Sequence, residues 1–344
     1  MNPVFSYQSC RLCPRRCGIN RISANKPGYC GENAALRLAC AVIHRGEEPP
    51  LTGTGGSGTI FVSGCNLGCA FCQNWQISGH QNRLGKAVDT ALFARICLAL
   101  QEKGAENINI VTGSHAVPAI AAGIAAAKDA GLHLPVLWNS SGYELPETLE
   151  LLADTVDVFL PDIKTLDTAI AARYFNAPDY PDIAAAAIKK MIDLRPLRFK
   201  ERESGPAAGS SRLVSGVMVR HLVLPGHLEA SRKVLRWFAA LAERNGNALL
   251  SLMFQYTPPN TALEAAPKGN YSDAAFPMRY ITPAEYNTAL GWLSEFGIED
   301  GYCQELIPGA DWLPNFERTN PFPQDMAVPV WHWKNGFFRI DDVR

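Results

Sequence analysis

Long apolar runs are missing from this chain. The longest, 116–127, has twelve residues, short of the roughly 20 that a membrane-spanning helix needs. No block of Lys or Arg stands out, and 32 basic against 33 acidic residues leave a formal charge of −1. That balance gives no electrostatic footprint for nucleic acid or for an anionic membrane. The opening residues, Met1-Asn2-Pro3-Val4-Phe5, lack the charged-then-apolar pattern of a secretory leader. Histidine is scarce, with seven in 344 residues and none paired at metal-ligand spacing. A zinc hydrolase would want a His or carboxylate ligand set with an activated water. The Gly-rich run 52–58 lacks the Gly-Lys-Ser/Thr of a phosphate loop and opens a strand instead of a helix; it reads as a flexible joint.

Cysteine is what the chain does have: ten, of which seven fall in two close-spaced groups. Close spacing reads as metal binding in a reducing cytoplasm, not as a disulfide framework. A chain of this length buries roughly three quarters of its unfolded surface, so it needs no disulfides to hold a core. The sharper group is Cys65, Cys69 and Cys72, at spacings of four and three. Thiolates select zinc, copper(I) and iron–sulfur clusters. A closed zinc site takes four ligands, and the next Cys or His, His80, lies eight residues on. Three ligands suit a cubane with one iron left open. The competing reading is a zinc knuckle that borrows a ligand from elsewhere.

The second group, Cys10, Cys13, Cys17 and Cys30, lies among Pro14, Gly18, Pro27, Gly28 and Gly31. Small, turn-rich segments of this kind are usually held by a metal rather than by a core. Four thiols allow a closed site, either zinc or a second iron–sulfur cluster. Cys40 sits in an alternating strand pattern, and Cys97 on the apolar face of a helical pattern shared by Leu92, Phe93, Ile96 and Leu100. Both read as core thiols, as does Cys303.

From residue 58 the pattern repeats: short apolar strand, loop, amphipathic helix. Strands are expected near 59–63, 107–112, 136–139, 156–162, 217–224 and 249–256. Helices are expected near 89–103, 116–130, 145–153, 180–194, 229–244 and 283–296. Residues 196–215 break the rhythm and read as a hairpin or surface loop. Six strands with intervening helices fit an open parallel sheet or a partial barrel. Chemistry in such folds gathers at the C-terminal ends of the strands, and each strand here ends in polar residues.

Cys-x3-Cys-x-aromatic-Cys after a short strand, with Phe71 at the aromatic position, resembles the signature of the radical S-adenosylmethionine (SAM) superfamily. The resemblance implies a (β/α)6 partial TIM barrel over 58–315, a Cys-rich N-terminal unit over 1–57, and a C-terminal extension, 316–344, packed on the barrel. It implies a 4Fe–4S cluster on Cys65, Cys69 and Cys72 whose open iron chelates SAM. Reductive cleavage then yields a 5′-deoxyadenosyl radical that takes hydrogen from a substrate. The chain is similar to enzymes related to the pyruvate formate-lyase activating enzyme, in a branch with an N-terminal Cys motif. Carried over residue by residue, Thr112, Gly113 and Ser114 form the turn for the SAM amino group, with His115 near the position of a usual acidic residue. Asn139 and Ser140, with Asp162 and Lys164, match the positions for SAM and a monovalent cation. His221 matches a histidine that meets the SAM ribose. A protein or peptide substrate and a flavodoxin or ferredoxin reductant follow from the same likeness. A small-molecule radical enzyme and a non-catalytic electron carrier are the competing functions.

Overall fold

The computed structural model describes residues 7–23, 27–79, 84–201, 211–245, 248–258, 277–310 and 312–338. His80 and the 202–210 centre of the expected hairpin lie outside them. The strands are β1 Leu36–His44, β2 Ser57–Val62, β3 Lys86–Val88, β4 Ile108–Val111, β5 Val136–Ser140 and β6 Val158–Pro161. They continue with β7 Arg198–Glu201, β8 Ser211–Leu222, β9 Ala248–Met253, β10 Gly301–Cys303, β11 Ala327–His332 and β12 Gly336–Phe337. The helices are α1 Pro49–Thr52, α2 Trp75–Ser78, α3 Thr90–Glu102, α4 Val117–Asp129, α5 Pro146–Leu149, α6 Thr168–Phe175, α7 Tyr180–Leu194, α8 Leu228–Asn245 and α9 Pro283–Glu295.

The six expected strands are β2, β4, β5, β6, β8 and β9, and they pair in parallel in that order. Spatial order equals chain order, so the sheet winds one way, as in a barrel, without the reversal of a doubly wound fold. One face packs against helices: Phe93, Ile96 and Leu100 of α3, Ile120 and Ile124 of α4 and Ile188 and Met191 of α7 join the main core. The other face carries Leu137, Leu160, Met218 and Leu249 and is covered by Leu51 of α1. This α/β fold with a parallel-dominated sheet agrees with the partial-barrel expectation. The hairpin expectation also holds, since β7 pairs antiparallel with β8.

Three expectations change. The boundary at 57 is crossed by hydrogen bonds, because β1 pairs antiparallel with β2 on one side and with β11 on the other. The Gly-rich run is therefore not a slack joint. A Cβ on Gly58 would stand 2.5 Å from the Asn107 carbonyl oxygen, so this strand start is packed against its neighbour. Cys303 is exposed, because β10 is an edge strand paired only to β9. Cys40 and Cys97 are fully buried. No described helix is long and apolar enough to cross a membrane.

Beneath the strand ends lies a buried charged cluster. Arg220 of β8 donates to Glu48 at 3.0 Å and to Glu47 at 2.5 Å, with a second contact to Glu48. Asn109 of β4 donates to Glu47 at 3.0 Å. The cluster ties the segment before α1 to the opposite strands and so fixes the plug under the sheet. Replacing Arg220 by Met strands two carboxylates away from water, which costs about 3–5 kcal/mol. Urea unfolding of Arg220→Met is expected to lose that much stability. Adding Glu47→Gln and Glu48→Gln is expected to restore part of it.

Candidate active site

Strand β2 ends at Val62, and the chain turns into the Cys loop through Gly64 at φ +88°. A Cβ there would lie 3.0 Å from His115 Nε2 and 3.1 Å from the Cys30 carbonyl oxygen, so this close approach needs glycine. Cys65 is buried, while Cys69 and Cys72 are partly exposed. The Leu67 N–H donates to Cys65 Sγ at 3.3 Å, and Cys72 Sγ lies 3.2 Å from Ser78 Oγ. Burial pushes the Cys69 thiol up, opposed by the Lys164 ammonium; Cys65 and Cys72 also act on it. Burial likewise raises Cys72, with the Cys65 charge adding to it.

Lys164 sits beside this loop. Its Nζ pairs with Asp162 Oδ2 at 2.6 Å. Burial alone would lower the Lys164 pKa, but Asp162 and Cys69 more than offset that and hold it charged. Tyr180 fixes the turn: its hydroxyl lies 2.8 Å from the Ser141 carbonyl oxygen and accepts the Lys164 N–H at 2.9 Å. Phe71 packs among the rings of Tyr174, Phe175 and Tyr256, with centroids 5.8–6.0 Å away.

The turns after β4 and β5 meet on a residue the sequence reading passed over. Glu144, buried, accepts from Ser114 Oγ at 2.8 Å, Trp138 Nε1 at 2.6 Å and Ser140 Oγ at 2.8 Å. Its pKa is raised by burial, against these three donors. The hydroxyl protons of Ser114 and Ser140 are thus committed to Glu144, leaving lone pairs and backbone groups for a ligand. Thr112 holds φ +65°, a conformation costly for a β-branched residue and common at functional turns. Its N–H donates to the Asn139 carbonyl oxygen at 2.9 Å. Gly113 lies against the Trp138 ring. The signal for Glu144 in sequence was a lone acid four residues beyond Ser140, in an otherwise neutral turn.

Two expected residues face elsewhere. His221 places Nδ1 2.7 Å from the Ile163 carbonyl oxygen and Nε2 2.9 Å from Ser231 Oγ. Burial lowers its pKa to about 4. Both ring nitrogens are engaged by the protein, which leaves none for a ribose. His115 points its Nε2 at the Ser63 carbonyl oxygen, 2.9 Å away, and lines a pocket with Cys10, Cys13, Cys17 and Cys30.

The N-terminal segment grips the Cys loop. Arg15 donates to the carbonyl oxygens of Asn66 at 2.9 Å, Leu67 at 3.0 Å, Phe175 at 2.9 Å and Asn176 at 2.5 Å. Its guanidinium stacks 3.7 Å from the Tyr29 ring centroid, and the Tyr29 hydroxyl also donates to Leu67 O at 3.0 Å.

The donor set fits a cubane. Three thiols share one loop, and a lysine beside it favours thiolates. A cubane takes one thiolate per iron, so three thiolates leave its fourth iron open.

A parallel α/β sheet with a three-thiol loop at the end of its first parallel strand defines a cluster-binding α/β fold. A profile described as the Radical SAM superfamily matches residues 59–237, just over half of the chain. The chain belongs to the radical SAM superfamily. It is 29% identical over 264 residues to Uncharacterized protein MJ0674 of Methanocaldococcus jannaschii, covering 75% of this chain and 69% of that one. Among solved structures, SuiB of Streptococcus suis bound to precursor peptide SuiA matches at TM-score 0.44 and 12% identity, covering 70% of this chain. That match spans 46% of SuiB, under half of its length. Methylornithine synthase (PylB) matches at TM-score 0.45 and 11% identity, covering 75% of each chain.

Arg15→Ala removes the four-carbonyl grip. The reconstituted protein is expected to lose iron from Cys65, Cys69 and Cys72 several-fold faster to a chelator. Arg15→Lys is expected to fall between, because an ammonium cannot span the fork. Iron release followed by absorbance measures it; equal rates in all three proteins would remove Arg15 from the loop's support.

Proposed function

We propose that this chain reductively cleaves SAM at a 4Fe–4S cluster held by Cys65, Cys69 and Cys72 and abstracts hydrogen from a substrate, in glycyl-radical activation, at a glycine Cα, or in modification of a peptide or protein side chain. The observation that carries the reading is the placement of the charged Lys164 and its partner Asp162 beside the three-thiol loop of a radical SAM family member. Bound there, the cluster and SAM supply a carbon-centred radical; the protein positions them and excludes water.

The chain's own groups have definite tasks. Lys164 offers a cation for the SAM carboxylate, a charge-assisted contact, and Asp162 and Tyr180 hold it in place. Thr112, Gly113 and Asn139 offer backbone and amide groups to the rest of the methionine end. Glu144 keeps the two turns in register through Ser114 and Ser140. A monovalent cation near Asn139 and Asp162 gains no support, because Asp162 is already paired to Lys164.

A peptide or protein substrate has room in an open cleft of about 690 Å³. Trp75 and Gln76, three and four residues beyond Cys72, form one wall; Asn315, Arg318 and Met326 form the other. Gln76 fixes the wall by accepting from the Phe316 N–H at 2.8 Å. A cytoplasmic setting with a flavodoxin or ferredoxin reductant suits the cluster chemistry.

Anaerobic reconstitution with iron and sulfide, followed by SAM and dithionite, tests the reading by quantifying 5′-deoxyadenosine. The native chain is expected to make it, and Cys65→Ala/Cys69→Ala/Cys72→Ala is not. Absence of SAM binding by the cluster-loaded native chain would leave the electron-carrier reading instead. Lys164→Met is expected to weaken SAM binding roughly tenfold to a hundredfold, the worth of one charge-assisted hydrogen bond, as read by equilibrium dialysis.

A further inference from the structure

We propose that Cys10, Cys13, Cys17 and Cys30 hold a second 4Fe–4S cluster, closed by four thiolates and seated against the back of the catalytic loop. The inference stands apart from the radical chemistry and needs only the N-terminal segment. All four are free thiols around one small pocket, which Arg21 and His115 also line. The pocket adjoins the catalytic loop through Gly64, whose added Cβ would meet both His115 and the Cys30 carbonyl.

Two of the sulfurs have an N–H directed at them. Cys10 receives the Arg21 guanidinium at 3.7 Å, and Cys17 the Tyr29 N–H at 3.3 Å. A thiol is a weak acceptor; donors aimed at it suit a thiolate. Core packing would explain the buried Cys10, Cys13 and Cys30 but not the exposed Cys17 that closes the ring.

Arg21 supplies an independent pointer. It is 3% exposed and donates to the carbonyl oxygens of Asn33 and His115. Its charge lies under the Tyr7 ring, 4.6 Å from the centroid. Among the described residues no carboxylate pairs with it; its guanidinium also reaches Cys10 Sγ at 3.7 Å. A buried cation needs an anion, and a cluster with four thiolates is one. Four thiolates with no carboxylate among them suit a cluster as they suit zinc, and the ratio of iron to zinc separates the two.

The test counts metal. Anaerobically reconstituted full-length protein is expected to hold about eight iron and eight sulfide per chain. Cys65→Ala/Cys69→Ala/Cys72→Ala is expected to keep about four of each, with a reduced-cluster electron paramagnetic resonance signal indifferent to SAM. In the single variant Cys17→Ser, which replaces the exposed ligand, that second signal is expected to broaden or vanish while the SAM-sensitive one stays. One zinc and no iron in the triple-alanine protein overturns the cluster in favour of a zinc site. No metal at all overturns the site. Neither result bears on SAM cleavage by the native chain, so failure here is separable from failure of the catalytic reading.

Discussion

A single guanidinium group, that of Arg15, joins three parts of this molecule. It donates to carbonyl oxygens on the Cys loop, at Asn66 and Leu67, and at the end of α6, at Phe175 and Asn176. A loop carrying three thiols has few apolar side chains with which to hold itself. Its backbone groups must be satisfied from outside, and a five-donor fork reaches more of them than any other side chain. The N-terminal segment is therefore part of the catalytic unit in a mechanical sense. Tyr29 stacks beneath Arg15 and adds its own hydrogen bond to Leu67.

The buried polar groups divide into those spent on the protein and those left for a ligand. Glu144 and His221 belong to the first kind. Glu144 takes three donors, and His221 uses both ring nitrogens. Arg220 and its two glutamates likewise close on themselves beneath the site. Lys164 and Asp162 differ, since both side chains remain about one-fifth exposed. What stays open at the strand ends is a cation beside a thiol loop, backed by turns whose geometry is fixed from below. Rigid supports with a small exposed set of groups are what positioning of a reactive cofactor requires.

The long connection at the end of the chain also has a role in the sheet. Strand β11 pairs with β1, and Trp331 and Phe316 are fully or almost fully buried. His332 and the Trp333 indole both lie within hydrogen-bonding distance of the Phe316 carbonyl oxygen. Gln76 of α2 in turn bonds Asn315 and Phe316, and these contacts shape the cleft that Trp75 and Gln76 line.

Much of this was determined by the sequence itself. The spacing of Cys65, Cys69 and Cys72 is local, and so is the alternation of strand and helix patterns that set the six parallel strands. Burial of Cys40 and Cys97 followed from periodicity alone. The tertiary structure decided what depends on contacts distant in sequence. Strand β1 joined the sheet across the expected boundary at 57, because an edge of β2 needed pairing. Cys303 came to lie exposed because β10 is an edge strand. His221 faced α8 because alternation assigns a side chain to one face or the other, and only packing says which face is the lumen. Glu144 and Arg15 act across 30 and 52 residues of sequence, on Ser114 and Leu67. No local pattern announces a hydrogen bond of that range, because its donor and acceptor meet only once the sheet has formed.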